Sequence, residues 1–331
     1  SPHTNSTYVL KDDLSGENFF RNFELYSDAD PTKGFVQYST LDKAVPSQLV
    51  GYLDSSIFLG VNYKNKTPGG RPSVRAESTK SWNHGLLIAD IKHMPANICG
   101  TWPAFWLLSA TQEWPNGGEI DILEGVNDYE SNSVTLHTSA GCMVENSTSP
   151  NDTTMNLDTR TFTGHMATQD CDVNASNQDK NVGCTIRAPV AGLHSTPTYG
   201  QQFNDIQGGV YAMEWTTEYI STWFFPRNAN TTSSATQPLD SITTAPNPST
   251  WPTPLAKFQG PNCDFMARFR DLKIIFNTAF CGEWAGRAEE WNKSCRVKTR
   301  VETCEEWVGE NPEAFVEAYW EIAGLWWFER G

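Results

Sequence analysis

Apolar runs in this chain are short, and most alternate with polar residues or stop at Gly, Pro or Asn. Runs of this kind lie at Ser73–Ser78, Leu86–Lys92, Ala104–Leu108, Glu119–Gly125, Ser133–Thr138, Val210–Thr216, Tyr219–Phe225, Leu272–Asn277 and Tyr319–Phe328. Alternation puts every second side chain on one face, so each run is expected to be a strand burying one side of a sheet. Glu218 and its neighbours read as the hairpin turn between two of them. Helix-favouring runs are few. Asn311-Pro312 ahead of EAFVEA reads as a short helix start, with Asn as cap and Pro in the first helical position. The pattern predicts an all-β sandwich or barrel, a class that often exceeds about 200 residues as one domain.

No internal repeat is present. Residues 142–200 and 227–256 are poor in periodicity and rich in Asn, Ser and Thr. They are expected to be long surface loops, the first tied down by disulfides; loops of this length either wall a site or are disordered. Strand signals resume after each, so the 331 residues are read as a single domain.

The net charge is −15. A polyanion would be repelled, so nucleic acid is excluded as a partner and a neutral ligand fits. The longest apolar run is far short of a membrane span. Eight cysteines, none in a tight CxxC pair, are even in number, and their spacing leaves the pairing open. Seven N-x-S/T sequons occur, at Asn5, Asn65, Asn146, Asn151, Asn174, Asn230 and Asn292. Together these features predict a secreted, disulfide-bonded monomer carrying N-linked glycans. The stretch begins with polar residues and carries no leader sequence, as a mature secreted chain also would not.

The stretch NGGEIDILEGVND concentrates three carboxylates, Glu119, Asp121 and Glu124, in six residues. On a helix Asp121 would lie about 200° from Glu119 and Glu124 about 140° from it, giving no common face. The flanking glycines also oppose a helix. On a strand Glu119 and Asp121 share one face, and Ile120 and Ile122 the other. Glu124 has the wrong parity. One extra residue around Ile122–Leu123, a β-bulge, restores it. Three acids on one face raise one another's pKa, an expense that glycoside hydrolysis uses. A retaining enzyme needs an ionised nucleophile and a protonated acid about 5–5.5 Å apart. The run lacks the Asp/Asn/Gly spacing of a calcium loop.

WPNGGEIDILEGVND followed by TLHTS resembles glycoside hydrolase family 16, specifically fungal laminarinase-type endo-1,3(4)-β-glucanases. DPTKGFVQY, SVRAES, GTWPAFWLL, FCGEWAG and NPEAF extend the likeness over nearly the whole chain. The resemblance implies a jelly-roll sandwich of two curved antiparallel sheets with an open cleft on the concave face. It implies Glu119 as nucleophile, Glu124 as acid/base and Asp121 as the assisting residue.

Trp102 and Trp106 share a strand face. Spacing alone leaves core and groove both open, and the resemblance implies sugar stacking in the cleft. Trp114 sits in a Pro-Asn-Gly-Gly turn with little core to enter and is expected to touch sugar. His137 lies on the polar face of VTLHTS, where it could bond Glu124, a sugar hydroxyl or a structural partner. Arg75 is read either as a donor to sugar hydroxyls or as an ion-paired arginine. Trp284, three residues after Cys281, is expected on a disulfide-fixed loop near the cleft. Trp326 and Trp327 read as sheet packing.

Nucleotide-binding glycine motifs and Ser-His-Asp or Cys-His patterns are absent from the sequence, so no cofactor or metal is predicted. The expectation is a secreted endo-β-1,3(4)-glucanase acting on β-glucan polysaccharide with retention. A cell-wall transglycosylase and a non-catalytic glucan-binding lectin are its rivals. The intact acid trio argues against the lectin, since a pure binder has no use for a proton donor.

Overall fold

The computed structural model describes residues 7–146, 160–192, 195–228 and 239–331. Two eight-stranded antiparallel sheets stack face to face. The first runs, in spatial order, through His165–Thr168, Cys184–Arg187, Ser133–His137, Glu119–Glu124, Thr101–Ser109, Leu272–Phe280, Arg75–Ser78 and Phe23–Leu25. The second runs through Ala256–Gln259, Tyr219–Pro226, Gly209–Trp215, Gly85–His93, Trp320–Arg330, Ser56–Leu59 and Val50–Leu53, with Tyr8–Asp13 also paired to Trp320–Arg330. The helices are short; the longest among the described residues, Cys304–Glu310, has seven residues, and none is long and apolar enough to cross a membrane.

Strand alternation explains the layering. Phe105 and Leu107 point from Thr101–Ser109 into the core with Ile120, Ile274 and Phe276. Phe105 and Phe276 stack with ring centroids 4.3 Å apart. From the second sheet Leu87, Ala89, Ile91, Tyr211, Met213 and Trp215 face them. The intervening residues of that sheet, among them Leu86, Ile88, Val210 and Phe225, build a separate apolar cluster on its outer side. Ile242, from the helix Leu239–Thr244, caps that cluster. The second sheet is thus covered on both faces. The first is left with one face for polar and aromatic side chains. Trp327 belongs to the main core and Trp326 packs against the outer cluster, so both serve sheet packing.

Several expectations are corrected in detail. The run Ser73–Ser78 is divided at Val74: Arg71–Ser73 pairs in parallel with Val36–Tyr38, and only Arg75–Ser78 joins the large sheet. The stretch 142–200 is not all loop, because His165–Thr168 and Cys184–Arg187 extend the first sheet beyond Ser133–His137. These strands are four residues each and partly polar, too short to show a period. Within 227–256 a helix and a 3₁₀ turn lie at Leu239–Thr244 and Pro248–Thr250. Asn311 does precede a helical turn with Pro312 first, but the turn is 3₁₀ and the Asn311 side chain does not cap it. The sequons at Asn5, Asn151 and Asn230 lie outside the described residues.

The cysteines form four disulfides: Cys99–Cys295, Cys142–Cys263, Cys171–Cys184 and Cys281–Cys304. Two of them, Cys99–Cys295 and Cys281–Cys304, lie in one satellite cluster with Trp291, Val308 and Phe315. That cluster supports the segment that carries Trp284.

Candidate active site

The acid strand Glu119–Glu124 lies between Thr101–Ser109 and Ser133–His137. Gly117 and Gly118, at φ +74° and +77°, deliver the chain into it. A side chain at Gly118 would sit 2.7 Å from the Arg268 carbonyl oxygen and 2.5 Å from the Phe269 ring, so the approach requires glycine twice over. Against Thr101–Ser109 the register runs Asp121 to Trp106, then jumps to Leu123 against Phe105 and Glu124 against Ala104. Ile122 is the extra residue, as the parity of the three acids requires. Ile120, Ile122 and Leu123 all enter the core, while Glu119, Asp121 and Glu124 turn to the open face.

Each glutamate meets one indole. Trp114 Nε1 donates to Glu119 Oε2 at 2.6 Å, and Trp102 Nε1 donates to Glu124 Oε1 at 2.8 Å. Trp114 itself is 42% exposed, which leaves its ring open to a ligand. Trp284 meets Trp102 edge-on at 5.7 Å and Tyr129 edge-on at 5.9 Å, giving an aromatic wall on the Glu124 side. It sits in the one-turn helix Gly282–Ala285, not a loop, directly after the Cys281–Cys304 bond.

His137 meets Asp121 instead of Glu124. Its Nε2 lies 3.3 Å from Asp121 Oδ2, a charge-pairing distance without hydrogen-bond alignment. Register is the reason. Glu119 is opposite His137 and Asp121 opposite Thr135, so the imidazole faces the first half of the acid strand, and Glu124 lies beyond the bulge.

Trp106 and Arg75 lie one and three strands from the acid strand along the sheet. Arg75 is 5% exposed, ion-paired at 2.8 Å to Glu77 and sandwiched between the rings of Tyr26 and Trp106 at 4.6 and 5.0 Å. Trp106 Nε1 donates to Asn277 Oδ1 at 2.8 Å. Arg75 is therefore anchored as an ion-paired arginine under an aromatic surface. Glu77 was available to find in the sequence, two residues on and hence on the same strand face. Asn277 and Tyr26 carried no local signal.

Burial and mutual repulsion act on all three acids. Desolvation, then the charge of Asp121, pushes Glu119 up to about 8, against the pull of His137 and the Trp114 N–H. Asp121, at 1% exposure, is raised well above the usual carboxylate range by burial and by Glu124. Glu124 is pushed up to about 7 by burial, with the Trp102 N–H and His137 holding it down. Three such groups share protons and titrate as a unit, so the site retains protons at neutral pH that isolated carboxylates would have lost. Glu119, Asp121 and His137 also bring possible ligand atoms within 4.8 Å of one another. The Trp114 N–H already occupies one Glu119 oxygen.

An antiparallel sandwich whose free sheet face carries a bulged carboxylate trio among indoles has the paired carboxylates that a retaining glycoside hydrolase requires. The sequence matches the XgeA-like, catalytic GH16 domain over residues 23–328, and the chain belongs to glycoside hydrolase family 16. It is 41% identical over 98% of its length to an endo-1,3(4)-β-glucanase of Arthroderma benhamiae, of which it spans 66%. Among solved structures it is similar to laminarinase 16A from Phanerochaete chrysosporium, with 38% identity and a TM-score of 0.83, covering 98% of this chain and 100% of that one. It is comparably similar to an elongating family 16 β-1,3-glucosyltransferase, with 40% identity, a TM-score of 0.81, and 97% and 99% covered. The fold is the family's jelly roll.

Proposed function

We propose that the chain hydrolyses internal β-1,3-glucosidic bonds of β-glucan with retention of configuration, tolerating mixed 1,3(4) linkages. The observation that carries this reading is the pair of glutamates on one sheet face, each bonded to its own indole and separated by buried Asp121 and the bulge at Ile122. Glu119 attacks the anomeric carbon while Glu124 gives its proton to the departing glycosidic oxygen. A glycosyl ester forms on Glu119. Glu124, now a carboxylate, takes a proton from the incoming water, whose oxygen bonds to the anomeric carbon from the face the leaving group vacated as the bond to the Glu119 oxygen breaks on the opposite face, so configuration is retained. Asp121 holds a shared proton beside Glu119 and supports the change of charge there. Trp114, Trp102, Trp106 and Trp284 offer indole faces for the C–H faces of sugars, and His137 and Arg75 fix the polar floor.

Residues 1–331 are proposed to act as one catalytic domain, monomeric and secreted. The four disulfides and the exposed sequon residues Asn65, Asn174 and Asn292 support secretion and N-glycosylation.

Glu119→Ser tests the assignment: release of reducing sugar from laminarin should vanish while the variant still binds the glucan. Undiminished activity would remove Glu119 from the mechanism. A second reading, transfer to a sugar hydroxyl in place of water, is favoured by the likeness to the glucosyltransferase. Product sizing with excess laminari-oligosaccharide separates the two, since transfer yields chains longer than the donor.

A further inference from the structure

The ladder between the acid strand and Ser133–His137 stops at the pair Asp121–Thr135. Past that point the bulge leaves backbone groups of the acid strand without a strand partner. The side chain of Asn132 supplies one. Its Nδ2 donates to the Ile122 carbonyl at 2.7 Å, and its Oδ1 accepts from the Glu124 N–H at 2.9 Å. A carboxamide has the donor and acceptor of a peptide unit, so Asn132 continues the ladder by side chain across the extra residue. It is fully buried, and its backbone is held at both ends: its N–H donates to Thr198 Oγ1 at 3.1 Å, and its carbonyl accepts from Ala188 N–H at 2.8 Å.

On the reading of Glu124 as acid/base, we infer that Asn132 is a positioning residue for proton transfer. It grips the backbone on both sides of Leu123, one bond being to the amide of Glu124 itself. The turn between Ile122 and Glu124 decides whether the Glu124 carboxyl faces the Trp102 indole or rotates toward the core. No substrate contact is assigned to Asn132, and binding of glucan does not depend on it.

The test uses Asn132→Ala with two substrates: a soluble linear β-1,3-glucan, and a 2,4-dinitrophenyl β-laminaribioside whose leaving group departs without a proton. On the glucan kcat should fall about 10²-fold, the scale of losing a positioned acid, with KM changed by less than about threefold. On the dinitrophenyl substrate the loss in the glycosylation step should be below about tenfold, because the acid is not required there. Asn132→Ser, which keeps one small polar group, should show the same split with smaller losses, and serves where the alanine variant does not fold. Equal losses on both substrates, or no loss on the glucan, would overturn the positioning role. Glu124→Ala is run alongside. A split there without one at Asn132 sinks only the inference about Asn132, whereas equal losses at Glu124 sink the acid/base assignment and the inference with it.

Discussion

The indole Nε1–H of Trp102 donates to Oε1 of Glu124 at 2.8 Å, tying the aromatic wall to that carboxyl. A donor aimed at a carboxylate favours its ionised form, so this bond opposes the burial that pushes Glu124 up to about 7. Trp102→Phe keeps a ring for stacking and removes the donor. Glu124 then stays protonated to higher pH, and the basic limb of the kcat/KM profile should move up by about one pH unit, the scale of one charge-assisted hydrogen bond. Hydrolysis of the glycosyl ester needs Glu124 as a base, so kcat at pH 6 should fall several-fold. A pH–rate series on laminarin reads both effects, and an unmoved basic limb would show that the Trp102 bond does not govern the acid.

Asp121 is buried at 1% exposure between two other acids, with Oδ2 making no hydrogen bond. Its folded-state pKa, like those of Glu119 and Glu124, lies above the ordinary carboxylate value. Folding therefore takes up protons between the unfolded and folded values. The stability tied to the trio is fully present at acid pH and is lost as pH rises through the folded values. Asp121→Asn removes one member of the repelling set. The variant should melt about 1–2 °C above the parent chain at pH 8, the shift that roughly 1 kcal/mol produces in a domain of this size, and level with it at pH 4. Hydrolysis should fall about 10²-fold or more, because the proton shared with Glu119 is gone. Paired thermal melts at the two pH values check it, and a variant less stable at pH 8 would show that Asp121 contributes more bonding than repulsion.

How far these relationships were visible in the sequence depends on the range of the interaction that makes them. The bulge was legible because three acids and three apolar residues in one run admit only one strand geometry that serves both sets. Trp102 could be placed on the Trp106 face by counting residues, but its bond to Glu124 crosses between strands 22 residues apart. The partner of His137 stayed open for the same reason: parity tells which face a side chain takes, whereas only register tells what it meets there, here Asp121. Arg75 and Glu77 show the reverse case, a pair two residues apart whose joint position on one face was readable and whose salt bridge follows from it. Asn132 had no local signal at all. An asparagine between Ser131 and Ser133 reads as a loop residue, and its task is set by a bulge on the neighbouring strand.

Trp284 is held where it is by a bond outside the sheet. Cys281, the residue that opens its one-turn helix, has φ +58° and is tied to Cys304. Its N–H also donates to the Gly100 carbonyl at 2.9 Å, next to the strand that carries Trp102. Converting Cys281 and Cys304 to Ala removes the tie. Loss of a bond of this kind costs about 2–4 kcal/mol, chiefly by freeing the unfolded chain, and the denaturation midpoint should fall accordingly. The effect on function should be separable from that loss. Below the new midpoint the acids keep their indole and backbone partners, so kcat on laminarin should stay within about threefold, while KM rises about tenfold, the equivalent of 1.4 kcal/mol of lost sugar stacking. Steady-state kinetics at 25 °C, alongside denaturant melts, distinguish the two. A fall in kcat with KM unchanged would mean that the Cys281–Cys304 bond supports the acids and not the aromatic wall.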